Sequence, residues 1–312
     1  MSRRGLLRAA GSAAALAALP RVGLSEEAAP GASGGFRIAH LTDMHVQPEL
    51  KAEEGFRKCL AAVHDLKPRP ELILTGGDLV MDSLATPEAR VKKLFDLYTS
   101  ICKDSDIPIR HCIGNHDVFG WSSDGKVSKE HPQYGKKMAQ ERLDLPQTTY
   151  SFDHKGWHIC MVDDILPAEN GYIGGISEED LAWLDADLTA AGDKPKLIVT
   201  HIPIVSVVIF RNVDATKDAD VKMPRGAVCQ NPGPIYGLLR KHKVKLVLAG
   251  HLHDNEVLRY EYTTHVGEGA VSGAWWKGPQ RLSPEGFGVV DLKPDGGFEH
   301  QYLTYGWKAA QA

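Results

Sequence analysis

The chain has 312 residues, of which 43% are hydrophobic and 24% are charged, and its formal charge at neutral pH is −4. This is the composition of an ordinary globular protein, with enough material for one large core or two modest domains. The acidic balance disfavours a protein whose partner is a general polyanion such as nucleic acid.

The first 25 residues have the pattern of an export signal. Arg3 and Arg4 stand in a charged start, and the small-residue apolar stretch that follows, from residue 9 to residue 19, is too short to span a bilayer. The start resembles a twin-arginine signal, which predicts a periplasmic or secreted protein. The alternative is a basic tail on a cytoplasmic protein. Removing residues 1–25 takes away four arginines and no acid, so the formal charge moves from −4 to −8.

The remainder is predicted to be a short linker followed by one domain. Residues 26–35 are expected to be disordered, because they are rich in Ala, Gly and Pro. No Pro/Gly/Ser-rich linker divides the rest, so residues 36–312 are interpreted as a single catalytic domain. No later segment is long and apolar enough to span a membrane, and the mature protein is expected to have no membrane span.

The domain alternates β-rich runs with helical runs. Strands are predicted at residues 36–41, 71–75, 107–113, 148–153, 157–162, 196–200 and 244–248. Helices are predicted at residues 49–66, 87–102, 178–190 and 232–242, the third of them directly after the helix-capping residue Ser177. After Asp254 the chain consists of predicted strands and turns. This order of elements indicates an α/β protein with layered sheets.

Metal-capable side chains follow five of the predicted strands. They are Asp43 and His45, Asp78, Asn115, His201, and the pair His251 and His253. Ligands of open α/β sheets gather at the carboxyl ends of strands, and residues two apart in an extended segment project to the same side. A mixture of imidazole and carboxylate ligands suits Mn, Fe or Zn better than Ca. The sequence therefore predicts a metal site.

The segments that carry these residues form a recognisable series. They read D-x-H at 43–45, G-D at 77–78, G-N-H-D at 114–117, a single His at 201 and G-H-x-H at 250–253. All five, in this order, resemble the motifs of the calcineurin-like metallophosphoesterase family, over about residues 36–262. The resemblance implies a four-layer α/β/β/α sandwich of two mixed sheets, with a dinuclear metal site at the C-terminal ends of the strands. The last strands, at residues 257–262, 264–271, 286–292 and 298–302, would complete the second sheet.

The same resemblance implies a role for each motif residue. One metal ion would be bound by Asp43, His45, Asp78 and His253, and the other by Asp78, Asn115, His201 and His251. A hydroxide that bridges the two ions would attack phosphorus in line, and the ions, the hydroxide and two carboxylates leave a site charge near +1. His116 would stand near the leaving group as a general acid or charge stabiliser, oriented by Asp117 or Asp82.

These features predict a metal-dependent hydrolase of small phosphoesters, with phosphodiesters favoured. A monoester dianion would gain from an extra cation, and the motifs place no Arg or Lys beside a ligand. A phosphomonoesterase of the same fold and a catalytically silent binding module remain alternatives. A nuclease is disfavoured, because the chain lacks basic clusters.

Two insertions and a tryptophan pair are open to two interpretations each. Trp275 and Trp276 are either a packing plug, which we favour, or a substrate wall. The long, loop-like insertions at 119–146 and 205–229 are either lids or scaffold decoration. Candidate substrate contacts within them are Trp121, His131, Phe210, Arg211, Asn212 and Arg225.

Two further groups of residues are interpreted as structural. Asp163 and Asp164 follow a strand and are interpreted as a solvated turn, although the family often has Asp near the site at this point. The five cysteines are expected to be buried free thiols, with a disulfide between Cys102 and Cys112 as the alternative.

Overall fold

The computed structural model describes residues 34–212 and 225–309. The predicted signal at 1–25 and most of the predicted linker at 26–35 lie outside this range. The helices of the described residues are α1 Ala52–Asp65, α2 Glu88–Cys102, α3 Lys137–Leu143, α4 Glu178–Ala190 and α5 Pro232–Lys241. The strands are β1 Phe36–Leu41, β2 Leu72–Gly76, β3 Ile109–Cys112, β4 Tyr150–His154, β5 Trp157–Met161, β6 Ile165–Pro167, β7 Tyr172–Gly174, β8 Lys196–Val199, β9 Leu246–Ala249, β10 Glu256–Tyr260, β11 Thr263–Gly267, β12 Gly286–Leu292 and β13 Phe298–Thr304. Within the described ranges, no helix has the length and apolar character needed to cross a membrane.

Two large mixed sheets organise these strands. The first has the order β13-β12-β1-β2-β3, in which β1, β2 and β3 are parallel and β12 is antiparallel to β1. The second has the order β10-β11-β9-β8-β5-β4, in which β5, β8, β9 and β11 are parallel. A short antiparallel pair, β6 and β7, forms a third sheet. Within each large sheet, the parallel strands bring their carboxyl ends to one edge.

Four layers of secondary structure pack on one another through three apolar cores. The first core packs α1 and α2, through residues such as Phe56 and Phe95, against the outer face of the first sheet. The second core lies between the two sheets and contains Ile38 and Trp157. The third core packs α4 and α5 against the second sheet, through residues such as Leu184. Burial of each large apolar side chain contributes about 1.5–3 kcal/mol, so every layer needs its neighbour. The predicted four-layer α/β/β/α sandwich is confirmed.

The helix ends follow local chemistry. The Ser177 hydroxyl accepts a hydrogen bond from the Asp180 amide at 3.0 Å, as expected for a cap of α4. The helix α5 begins at Pro232, whose missing N–H would have no partner in the first turn of a helix.

The prediction for the last strands was wrong in part. The strands β10 and β11 do extend the second sheet, but β12 and β13 pair with β1 and extend the first sheet. Alternating apolar residues predict that one face of a strand is buried. They do not indicate which of the two sheets the strand joins.

Two smaller expectations are also corrected. The insertion at 119–146 is not loop throughout, because it contains α3, whose buried Met138 and Ala139 join the core beneath α1 and α2. All five cysteines are described and are free thiols, so Cys102 and Cys112 form no disulfide, and four of the five are buried as expected.

Candidate metal centre

The seven predicted ligands converge where the two sheets meet. Asp43 and His45 follow β1, Asp78 follows β2 and Asn115 follows β3, all in the first sheet. His201 follows β8, and His251 and His253 follow β9, both in the second sheet. Each side chain therefore reaches the site from the carboxyl end of a parallel strand, and both sheets contribute.

The side chains divide into two groups around Asp78. In the first cluster (Asp43, His45 and His253), His253 Nε2 lies 3.2 Å from Asp43 Oδ1 and 3.2 Å from His45 Nε2. In the second cluster (Asn115, His201 and His251), His201 Nε2 lies 3.0 Å from Asn115 Oδ1 and 3.1 Å from His251 Nδ1.

Asp78 joins the two clusters. Its Oδ2 lies 3.7 Å from His45 Nε2 in the first cluster, and its Oδ1 lies 3.3 Å from His201 Nε2 in the second. One carboxylate oxygen therefore faces each cluster, which is the arrangement of a ligand shared by two ions.

The hydrogen bonds of the rings show why a cation fits between these atoms. His201 Nδ1 donates to the Gly76 carbonyl at 2.7 Å, and His253 Nδ1 donates to the Gly273 carbonyl at 2.6 Å. In the neutral rings the Nε2 lone pairs then point at carboxylate oxygens, and Asp43 Oδ1 is buried without a hydrogen-bond donor. Positive charge between the facing atoms removes this repulsion, and converging imidazole, carboxylate and amide donors suit a transition-metal ion.

The backbone at the site is strained. Five of the seven residues have a left-handed backbone, with φ between 42° and 70°: Asp43, His45, Asp78, His251 and His253. A left-handed conformation costs a residue with a Cβ about 1–2 kcal/mol, and strain of this kind gathers at functional sites. Packing between the sheets and the hydrogen bonds described below must offset that cost.

Close approach explains two of the glycines. A Cβ at Gly114 would overlap the Asp78 carboxylate, and a Cβ at Gly250 would overlap Thr42 and the Asp43 carboxylate. Only glycine leaves the carboxylates room at these two points.

Asp43 and Asp78 are held in position by donors. Asp43 Oδ2 accepts hydrogen bonds from the Thr42 hydroxyl at 2.6 Å and the His251 amide at 2.9 Å, which leaves Oδ1 for the site. Asp78 Oδ1 accepts from the His116 amide at 2.8 Å.

Asp117 supports the site through the backbone. Its carboxylate accepts from the amides of Gly114, Leu79 and Val80 at 2.8, 2.9 and 3.2 Å, so it joins the turns that carry Asn115 and Asp78. Burial raises the pKa of Asp117 to about 7, and the Asp78 charge adds to the rise.

Asp163 and Asp164 were wrongly interpreted as a solvated turn. Both are buried, and Asp163 Oδ2 lies 2.6 Å from the Thr148 hydroxyl and 2.6 Å from the Lys136 ammonium. Asp164 accepts from the amides of Ile202 and His201 at 2.9 and 3.3 Å and so fixes the His201 turn. Asp164 belongs to the site's support and was missed. Its signal was its place after β5, the same place that the ligands occupy after the neighbouring strands.

His116 stands beside the first cluster with Asp82 behind it. Its ring centroid is 4.9 Å from that of His45, and its Nδ1 is 3.4 Å from Asp82 Oδ1. Its side chain is 27% exposed, so it borders the open side of the site. Burial lowers the pKa of His116, but the carboxylates of Asp78 and Asp82 raise it more, to about 9. Of the two orienting candidates, Asp82 is the one that lies beside the ring.

The tryptophan pair divides between the two interpretations. Trp276 is buried, its Nε1 donates to the His45 carbonyl at 3.0 Å, and its ring packs on Trp307. Trp275 is 36% exposed and lies against the rings of His253 and His45, at centroid distances of 4.7 and 5.8 Å. At the other end of the site, Tyr172 lies 6.1 Å from His251. The packing interpretation therefore holds for Trp276 alone.

The candidate contacts of the insertions have varied surroundings. The Lys136 ammonium lies 5.7 Å from the Trp121 ring, and His131 lies 3.5 Å from Glu88, on α2. Arg211 is paired with Asp254 and donates to the Leu252 carbonyl, between two candidate ligands. Phe210 and Arg225 are exposed, and the Asn212 side chain lies outside the described part of the chain.

Comparison with known proteins identifies the family. The sequence profile described as calcineurin-like phosphoesterase matches residues 36–255. The chain belongs to the calcineurin-like phosphoesterase family. Together with the two clusters, this membership makes the protein a phosphoesterase with a dinuclear metal site.

Relatives of this calcineurin-like phosphoesterase carry diesterase names. A protein of Xenorhabdus bovienii named as a probable cyclic nucleotide phosphodiesterase is 21% identical over 271 residues, which cover 83% of this chain and 96% of its own. A probable glycerophosphodiester phosphodiesterase of Arcobacter nitrofigilis is 24% identical over 224 residues, covering 69% and 71%. Among solved structures, a dimetal phosphatase of Danio rerio has a TM-score of 0.59 at 16% identity and shares the fold over 87% of this chain and 99% of its own.

Proposed function

We propose that this phosphoesterase hydrolyses small phosphodiesters at the centre formed by the first cluster, the second cluster and Asp78. The observation that carries the proposal is the convergence of seven side chains in two sets that share the Asp78 carboxylate, with the His116 imidazole beside the first set. Two metal ions bound there would activate water and offset the charge on the phosphoryl oxygens. The donor set favours Mn, Fe or Zn.

The residues of the chain would have distinct roles in this reaction. Asp43, Asp78, Asn115 and the four histidines of the two clusters would hold the ions. His116, whose pKa the Asp78 and Asp82 carboxylates raise, would donate its proton to the leaving oxygen. Asp82 would position His116, and its carboxylate is itself fixed by the Thr86 hydroxyl and the Leu84 amide at 2.8 and 3.0 Å.

The charges around the site favour a diester monoanion over a monoester dianion. The candidate ligands include only two carboxylates, so two divalent ions would leave a small positive charge. Two cations of the insertions are already paired with carboxylates, Arg211 with Asp254 and Lys136 with Asp163. A diester of an alkyl alcohol also needs a proton donor for its poor leaving group, and His116 would supply it. The diesterase names of the relatives agree with this preference.

The test is a matched pair of substrates. We expect kcat/KM for bis(p-nitrophenyl) phosphate to exceed that for p-nitrophenyl phosphate at the same pH and with the same metal. Asp78→Asn should lose both activity and bound metal, which excludes a contaminating enzyme. A monoester preference that vanishes in Arg211→Ala and persists in the surface control Arg240→Ala would contradict the diester assignment and make Arg211 the clamp. Full activity after rigorous metal removal would favour other chemistry altogether.

We also propose that the chain is exported through a twin-arginine signal. The paired Arg3 and Arg4 ahead of a short apolar stretch support this. We expect the double variant Arg3→Lys, Arg4→Lys to accumulate as a cytoplasmic precursor, as measured by fractionation and immunoblotting. Export of the double variant at the wild-type level would refute the assignment.

A further inference from the structure

The segment at residues 271–278 is tied to the metal centre along its length. The amides of Val271 and Ser272 donate to the carbonyls of Thr42 and Asp43 at 3.0 and 3.2 Å, and the Ser272 hydroxyl donates to the Asp43 carbonyl at 2.7 Å. His253 Nδ1 donates to the Gly273 carbonyl, as described above. The position of the segment is therefore fixed relative to the first cluster.

The two tryptophans in this segment both have a left-handed backbone. The φ angles are 51° at Trp275 and 67° at Trp276. For bulky residues this conformation is a true outlier, and an exposed turn would ordinarily place Gly or Asn there. Burial and two hydrogen bonds, from Trp276 N to the Ser272 carbonyl and from Nε1 to the His45 carbonyl, account for Trp276.

Folding does not account for Trp275 in the same way. Its indole is 36% exposed, although it is among the largest apolar side chains and its backbone is strained. Its ring contacts are with His253 and His45, two residues of the first cluster. Strain that packing does not require is a sign of function.

The position of Trp275 matches the leaving-group side of the site. The rings of His116 and Trp275 both contact His45, at centroid distances of 4.9 and 5.8 Å. A substrate group on the His116 side of the first cluster would therefore lie within reach of the exposed indole. Tyr172, by contrast, lies against His251 in the second cluster.

We propose that the indole of Trp275 is the subsite for a planar aromatic group of the substrate, such as a nucleobase, next to the scissile phosphodiester. This proposal rests on the proposed function and narrows its substrate class to nucleotide or aryl diesters. Stacking on an aromatic side chain accepts any base, because every base has a π-face. A glycerol or choline group has no such face and would gain little from the indole.

Binding of two ligands that differ only in the base tests the subsite. Adenosine 5′-monophosphate and ribose 5-phosphate would be titrated by calorimetry into the metal-loaded full chain. We expect the wild type to bind the nucleotide at least about 5-fold more tightly, the lower end of what stacking of one base contributes. Trp275→Asn should bring the ratio of the two dissociation constants close to one, whereas Trp275→Phe should keep most of it. Asn readily adopts a left-handed backbone, so this variant should fold.

Other outcomes overturn the proposal. The first is a wild type that does not prefer the nucleotide, and the second is a preference that persists in Trp275→Asn. The third is a Trp275→Asn variant that loses metal and binds both ligands more weakly by the same factor. That result would mean that Trp275 only covers the first cluster. The proposed hydrolysis is judged separately. A Trp275-dependent preference for the nucleotide in a protein that cleaves no diester would leave the subsite standing and refute the activity.

Discussion

His116 differs from the other site residues in its partners. It faces Asp82 and the open side of the site, while its neighbour Asn115 belongs to the second cluster and contacts His201. We expect His116→Asn to retain its metal and to lower kcat by about 10²- to 10⁴-fold, the usual contribution of general acid–base catalysis. Metal content by mass spectrometry and kcat on an alkyl phosphodiester would be measured together. Because His116 also lies within ligand distance of His45 and Asp78, loss of metal together with activity would make it a ligand instead.

The pH dependence of kcat tests the role of Asp82 beside His116. The Asp82 carboxylate helps to raise the pKa of His116, and in the proposed mechanism the acid form is the active one, so kcat should fall as pH rises through that pKa. In Asp82→Asn the pKa of His116 should drop and the alkaline limb of the kcat profile should move to lower pH. An unmoved limb would mean that Asp82 only anchors its own loop through Leu84 and Thr86.

At the scale of elements, α1 is coupled to the site through a glycine. Gly55 lies inside this helix, where glycine ordinarily destabilises by about 0.5–1 kcal/mol relative to alanine. A Cβ at Gly55 would overlap the Trp276 indole, which donates to the His45 carbonyl and directly follows Trp275, whose backbone is left-handed. α1 therefore packs against Trp276 and helps to hold the tryptophan pair in position.

We expect Gly55→Ala to destabilise the protein, against the usual helix preference. Overpacking should lower the free energy of unfolding by about 1–3 kcal/mol, as measured by urea denaturation. The control is Gly237→Ala in α5, where a Cβ meets no atom within 4 Å and the substitution should stabilise by about 0.5–1 kcal/mol. Equal stabilisation by both substitutions would mean that Trp276 shifts freely.

The elements also show what sequence reasoning can reach. The ligand motifs could be predicted because parallel strands bring their carboxyl ends to the same edge of a sheet. Side chains that directly follow such strands in the sequence are therefore expected to lie close together. The pairing of β12 with β1 was missed because the paired residues are between 248 (His40 and Gly288) and 256 (Phe36 and Leu292) positions apart, and such a distant pairing has no local sequence pattern. Trp275 and Trp276 were assigned together because their side chains are identical, and only backbone angles and burial separate them. Asp164 was missed because the sequence does not distinguish a buried carboxylate that accepts from backbone amides from a carboxylate that is solvated.

At the scale of the whole molecule, the site lies where the two sheets meet. The helical layers are on the outside, and both the first and the second cluster combine residues from the two sheets. Function thus depends on the relative position of two sheets that share a single apolar core. Substitutions in that core, far from any candidate ligand, would therefore alter the distances within both clusters.

The ligands come from opposite ends of the domain sequence. Asp43 and His251 are 208 positions apart, and the Asp43 carboxylate already accepts the His251 amide. An ion held by both ends closes most of the chain into a ring, and such a closure restricts the unfolded chain more than a short one does. Metal supply then bears on how long the protein survives, as well as on how fast it works. If the chain folds before a twin-arginine export step, the ions that join the two ends of the domain are bound in the cytoplasm.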